Sequence, residues 1–151
     1  NISKSFPDID EFTRNQTFTD YSLGLYFNMN DNHYFGLEGG KEFFTQKFYN
    51  VEDGINMEYM QSPSLFWLGV AYRYVADKFE FLAGGKPFVH LMIGFTELGP
   101  LGKSTLGLQY NAGNNFNFSF GVEGSLLIYQ NQKVRYDSRK IGFMYGVMYN
   151  F

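Results

Sequence analysis

At 151 residues the chain is one domain by length, large enough for a core or a small barrel. Its net charge of −3, with no basic face to neutralise phosphates, argues against a nucleic-acid partner, and the lack of any cysteine excludes a disulfide scaffold and a Cys-ligated metal site. A helical membrane protein needs a run of about eighteen or more apolar residues, and the sequence contains none.

Alternating segments begin at Tyr21. Tyr21, Leu23, Leu25, Phe27 and Met29 share one face of an extended strand; Ser22, Gly24, Tyr26 and Asn28 share the other. Asn30-Asp31-Asn32 supplies turn chemistry. The chain returns with Phe35, Leu37, Gly39 and Phe43 opposite Tyr34, Gly36, Glu38, Gly40 and Glu42. Lys41 falls on the apolar side, near a rim where a long side chain can snorkel. A polar stretch from Gln46 to Ser62 reads as a loop.

The next strand sets Phe66, Leu68, Val70, Tyr72 and Tyr74 against Leu65, Trp67, Gly69, Ala71 and Arg73. Ala76-Asp77 predicts a tight turn, and a return strand runs from Phe79 to Phe95. Its other face carries Glu80, Lys86 and His90, and Pro87 predicts a bulge or break near Gly84-Gly85. Thr96 to Ser104 reads as a second loop. Leu106 to Ala112 and Phe116 to Ile128 form a hairpin around Gly113-Asn114-Asn115, followed by a third loop from Asn131 to Ser138.

The last segment, Lys140 to Phe151, alternates almost without fault. Ile141, Phe143, Tyr145, Val147, Tyr149 and Phe151 oppose Lys140, Gly142, Met144, Gly146, Met148 and Asn150. Apolar residues on one side and small or polar ones on the other, over about ten residues, are what a transmembrane β-strand needs. Alternation also explains how a chain with 18 Phe, 12 Tyr and 17 Gly has a mean hydropathy of only −0.27.

Short turns at 30–33, 76–77 and 113–115 thus interleave with longer connections at 46–62, 96–104 and 131–138. This is the asymmetry of outer-membrane barrels, with short periplasmic turns and longer external loops. Asn1 to Gln16 becomes another external loop. The fold class expected is all-β: an antiparallel up-and-down transmembrane β-barrel of about eight strands, with seven visible. Single-chain bacterial barrels use even counts, so a first strand is expected to be truncated. Asn1 to Asp10 has neither the basic start nor the apolar run of an export leader, so export implies a mature or truncated form.

These Gly-rich alternating strands, short Asn/Asp turns, the opening Asn1-Ile2-Ser3 and the aromatic end resemble the PorT-like outer membrane protein β-barrel family of Bacteroidota. The resemblance implies an eight-stranded barrel in the bacterial outer membrane and no particular activity. It also implies that Tyr149 and Phe151 form a C-terminal signal read by the barrel-insertion machinery.

On this register Glu38, Glu42, Arg73, Glu80, Lys86, His90 and Glu123 share the polar face, with Lys140 on the same side at the start of the last strand. If that face is the lumen, they form a charge network in which acids and bases pair, because unpaired buried charge is costly. The other reading is a narrow small-solute path. His90 has no second histidine at metal-ligand spacing and no evident serine partner, so neither a metal site, a cofactor nor an enzyme is expected. The acidic clusters Asp8/Asp10/Glu11 and Glu52/Asp53 match no calcium loop and read as solvated.

The expected function is a structural, anchoring or protein-interaction role, as an accessory subunit of an envelope assembly. Its partners would be outer-membrane lipid and, through external loops, other envelope proteins. A narrow pore and a soluble calycin-like lipid-binding barrel are the alternatives; the latter inverts the register, aromatics inward.

Overall fold

A computed structural model describes residues 19–30, 32–44, 46–52, 55–61, 64–82, 84–113, 115–131 and 134–149. All regular elements among them are strands: β1 (Tyr21–Asn30), β2 (His33–Phe43), β3 (Gln46–Glu52), β4 (Ile55–Gln61), β5 (Ser64–Val75), β6 (Lys86–Thr96), β7 (Pro100–Asn111), β8 (Phe116–Asn131) and β9 (Val134–Tyr149). Seven of them form one antiparallel sheet in the order β1-β2-β5-β6-β7-β8-β9, curled into a half-barrel, while β3 and β4 pair separately.

The alternation sets which way the sheet curls. Outward positions form continuous rows, including Leu23 and Leu25 on β1, Leu68 on β5, Ile93 on β6, and Phe143 and Tyr145 on β9, all well exposed. Most inward positions of β5 to β8 are buried on the concave side, whereas those of the edge strands β1 and β9 are half-buried or exposed. More large apolar side chains stand exposed on the outside than are buried within. At one end of the concavity Phe44, Leu65, Trp67, Leu101, Leu127 and Tyr129 pack together, all at most 8% exposed.

Tight curling needs inward positions without side chains. Gly69 faces Gly94 across β5–β6, and Gly107 faces Gly121 across β7–β8. A Cβ on Gly121 would meet the Leu106 carbonyl oxygen at 2.3 Å and Gly107 Cα at 2.9 Å. Gly121→Val is therefore expected to cost about 1–3 kcal/mol in denaturant unfolding, the usual range for overpacking. Gly142→Ala, with nothing within 4 Å of the added carbon, is the control expected to change little.

Four connections differ from the sequence reading. The polar stretch 46–62 contains the paired strands β3 and β4, in register from Gln46↔Gln61 to Glu52↔Ile55. Thr96 to Ser104 is mostly strand: β6 reaches Thr96 and β7 starts at Pro100. Thr96 makes this possible, because its hydroxyl accepts from the Leu98 and Gly99 amides and donates to the Gly99 carbonyl, closing the turn in three residues. Asn131 to Ser138 is likewise drawn into β8 and β9, which stay paired to Asn131↔Val134.

Ala76-Asp77 does open a tight turn, the Phe79 amide donating to the Ala76 carbonyl at 3.1 Å, but the return strand does not follow it directly. β6 begins only at Lys86, and the connection before it carries Leu82 at φ 43° and Gly84 at φ 86°, with an isolated bridge between Phe81 and Gly85. Such backbone angles cannot continue a strand. Short and long connections therefore do not segregate to opposite ends. What distinguishes the β3–β4 end is strand pairing carried past the apolar rows: outward positions on β9 change from Phe143 and Ile141 to Arg139 and Asp137, which pair at 2.9 Å.

Candidate functional site: a buried ion-pair ladder on the concave face

The polar side chains that alternation turns inward form a contiguous ladder across all seven strands of the sheet. At its lower end, towards the β1–β2 turn, Arg73 on β5 donates through Nη2 to Gln109 Oε1 on β7 at 2.7 Å. The guanidinium also lies 3.9 Å from the centre of the Phe88 ring. Next, Tyr26 on β1 donates its hydroxyl to Glu38 on β2, and His90 Nε2 on β6 sits 3.1 Å from Glu38 Oε1 and 3.1 Å from the tyrosine oxygen. His90 Nδ1 is 3.5 Å from Thr105 Oγ1, and that hydroxyl donates to Glu123 Oε2 at 3.3 Å.

The upper half is ionic. Lys103 on β7 lies 2.8 Å from Glu123 and 3.0 Å from Glu42, and Lys140 on β9 lies 3.5 Å from the other Glu42 oxygen. Glu42 is fully buried. The ammonium groups reach it at ion-pair distance but off the ideal hydrogen-bond direction, so the attraction is mainly coulombic. Lys140 also pairs with Asp20 and donates to the Phe43 carbonyl at 3.3 Å, while the Phe43 amide donates to Asp20 at 3.0 Å. Lys103 and Lys140 lie 4.8 Å and 5.7 Å from the Trp67 and Phe44 rings, joining the ladder to the apolar cluster above it.

Of the residues singled out from sequence, Glu38, Glu42, Arg73, His90 and Glu123 come together here. Glu80 does not: it is exposed in the 76–85 connection. Lys86 pairs at the rim with Asp77 at 2.7 Å, away from the ladder. Lys103 escaped notice because it fell within the expected loop 96–104; inward parity counted back from Thr105 would have found it. Lys41 stays on the outer face, its ammonium 5.5 Å from the Phe66 ring centre and 5.6 Å from that of Phe43. Tyr149 packs edge-on against Phe116 at 5.0 Å, and Asn115 donates to its hydroxyl. Phe151, Asn1-Ile2-Ser3 and Asp8/Asp10/Glu11 lie outside the described residues.

Glu38, His90 and Thr105 have the connectivity of an acid–imidazole–hydroxyl triad. The Thr105 hydroxyl also reaches Glu123 at 3.3 Å, and Thr105 is completely buried. The contacts lock strands together across the concavity, which suits a ladder with acids and bases alternating along it. No cluster of three or more potential metal ligands occurs among the described residues. No protein-family model, curated protein or solved structure matches this chain.

Proposed function

We propose that the chain is an integral outer-membrane β-barrel with a structural role, an anchor or accessory subunit that presents its hairpins and rims to other envelope proteins. The observation that carries this reading is the inversion of sides: Phe143 is 91% and Leu23 81% exposed on the convex face, whereas Glu42 is 0% and Arg73 6% exposed on the concave one. In water, contiguous apolar faces of that extent mark an interaction surface or an aggregation liability; in a bilayer they are the lipid-facing wall. A soluble ligand-carrying barrel would need the aromatic rows inside.

Eight strands complete the barrel. With seven antiparallel strands the two edges, β1 and β9, run in the same direction. One further strand, antiparallel to both, satisfies both edges and removes the exposed ladder groups. Lys140 on β9 pairs with Asp20 just before β1, so side chains from the two edges already meet across the opening.

The ladder and the apolar cluster fill the concavity, so the role falls to what projects: the β3–β4 hairpin and the far end of β8–β9. In planar lipid bilayers the purified protein is expected to give no steady conductance. A steady current reduced by Arg73→Gln would replace this reading with a narrow solute pore. The main test is gentle-detergent extraction from native outer membranes after an alkaline carbonate wash. The chain should resist the wash and emerge with a stoichiometric protein companion. Release by carbonate overturns the barrel reading, and a barrel extracted alone overturns the subunit role.

A further inference from the structure

The connection between β5 and β6 is a built loop. The Ala76 amide donates to the Pro87 carbonyl at 2.8 Å, the Phe79 amide to the Ala76 carbonyl at 3.1 Å, and Phe81 and Gly85 exchange two backbone hydrogen bonds at 2.7 and 2.9 Å. The Lys86–Asp77 pair closes its base. Leu82 is held in the left-handed region at φ 43°, a conformation unfavourable for leucine that persists only where surrounding contacts impose it. None of this order buries the loop's own apolar side chains. Phe79, Phe81 and Leu82 are 70%, 61% and 66% exposed.

One contact shows where the loop leans. Tyr110 on β7 belongs to the outward set, its ring stacked on that of Phe120 at 5.6 Å. Its hydroxyl donates to the Leu82 carbonyl at 2.8 Å, and its ring lies so close to Gly85 that a Cβ there would approach it to 2.6 Å. The loop is thus fastened to the rim of the convex apolar wall and not folded into the concavity. Lys78 and Glu80, both exposed, flank Phe79 with charge.

We propose that this loop is an interfacial membrane anchor. Phe79, Phe81 and Leu82 enter the boundary between headgroups and acyl chains of the adjacent leaflet, continuing the lipid-facing wall beyond the strand ends. Aromatic side chains favour that depth, and flanking charges remain in the headgroup layer. The inference rests on the outer-membrane reading, from which its test can be separated.

The chain has no cysteine, so single nitroxide labels can be placed without background. Phe81→Cys and Phe79→Cys would report the loop, Phe143→Cys the wall, and Gln130→Cys, exposed near the far end of β8, the aqueous reference. In vesicles of phosphatidylethanolamine and phosphatidylglycerol, collisions with oxygen and with a water-soluble nickel chelate are compared. The loop labels should meet the chelate several-fold less often than the label at 130, and more often than the label at 143. A protected label at 143 with both loop labels as accessible as position 130 overturns the anchor and leaves the barrel standing. All labels accessible alike would overturn the membrane reading and the anchor with it. Loop labels exposed in lipid vesicles but shielded in native-membrane extracts would assign the loop to a protein partner, overturning the lipid assignment.

Discussion

Replacing Phe143 with lysine is expected to cost about 2–4 kcal/mol of folding stability in lipid vesicles, measured by reversible denaturant unfolding. Phe143 stands near the middle of the outward row on β9, flanked at i±2 by Ile141 and Tyr145, and is 91% exposed. In a bilayer, that exposure faces hydrocarbon, and an ammonium group there must snorkel or thin the membrane. In water the same substitution would remove an exposed ring and add a solvated charge, a change normally within about 0.5 kcal/mol. One substitution thus distinguishes the two solvents. Arg139→Lys, on the same outward face but beyond the apolar row, is the control and should be nearly neutral. An unchanged midpoint for Phe143→Lys in vesicles would remove the lipid-facing wall from the argument.

The outward rows were legible in sequence because strand periodicity is local. From Tyr21 to Met29, and again from Ile141 to Tyr149, each residue's side follows from its parity. Pairing and strand ends are not local in that way. Thr96 closes a three-residue turn with its own hydroxyl, and no composition rule separates that from the beginning of a loop rich in glycine and proline. Treating the segment after Thr96 as a loop concealed Lys103, the central cation of the ladder. Asn131 to Ser138 looks polar because the strands there have left the apolar region while keeping their pairing. Glu80 was placed inward by parity counted through a segment that is not a strand, where positive φ angles at Leu82 and Gly84 break the count. Lys86 keeps the parity of His90 but opens β6 at the rim, where it pairs with Asp77 instead of joining the ladder. Which acid meets which base was beyond the local pattern altogether. Asp20 and Lys140 lie 120 residues apart in sequence, and only the curl of the sheet brings them together.

That curl makes Glu42 the residue whose loss should cost most. It is the fully buried carboxylate between Lys103 and Lys140, at 3.0 and 3.5 Å, and so links β2 to β7 and β9 across the concavity. Glu42→Leu leaves both ammonium groups with less negative charge in a site shielded from water. Removing one partner of a buried pair typically costs about 3–5 kcal/mol, mostly through the charge left behind. Lys103→Met alone should cost less, because Glu42 keeps Lys140 and Glu123 keeps the Thr105 hydroxyl. The double variant Glu42→Leu/Lys103→Met removes the stranded ammonium together with its partner, so it should be more stable than Glu42→Leu alone. Unfolding midpoints of the four proteins in detergent micelles form a double-mutant cycle with an expected coupling of about 1–3 kcal/mol. Strictly additive losses would mean that Glu42 acts through packing alone. A clear coupling would show that charge pairing within the concavity, rather than filling it, holds the two sides of the curled sheet in register.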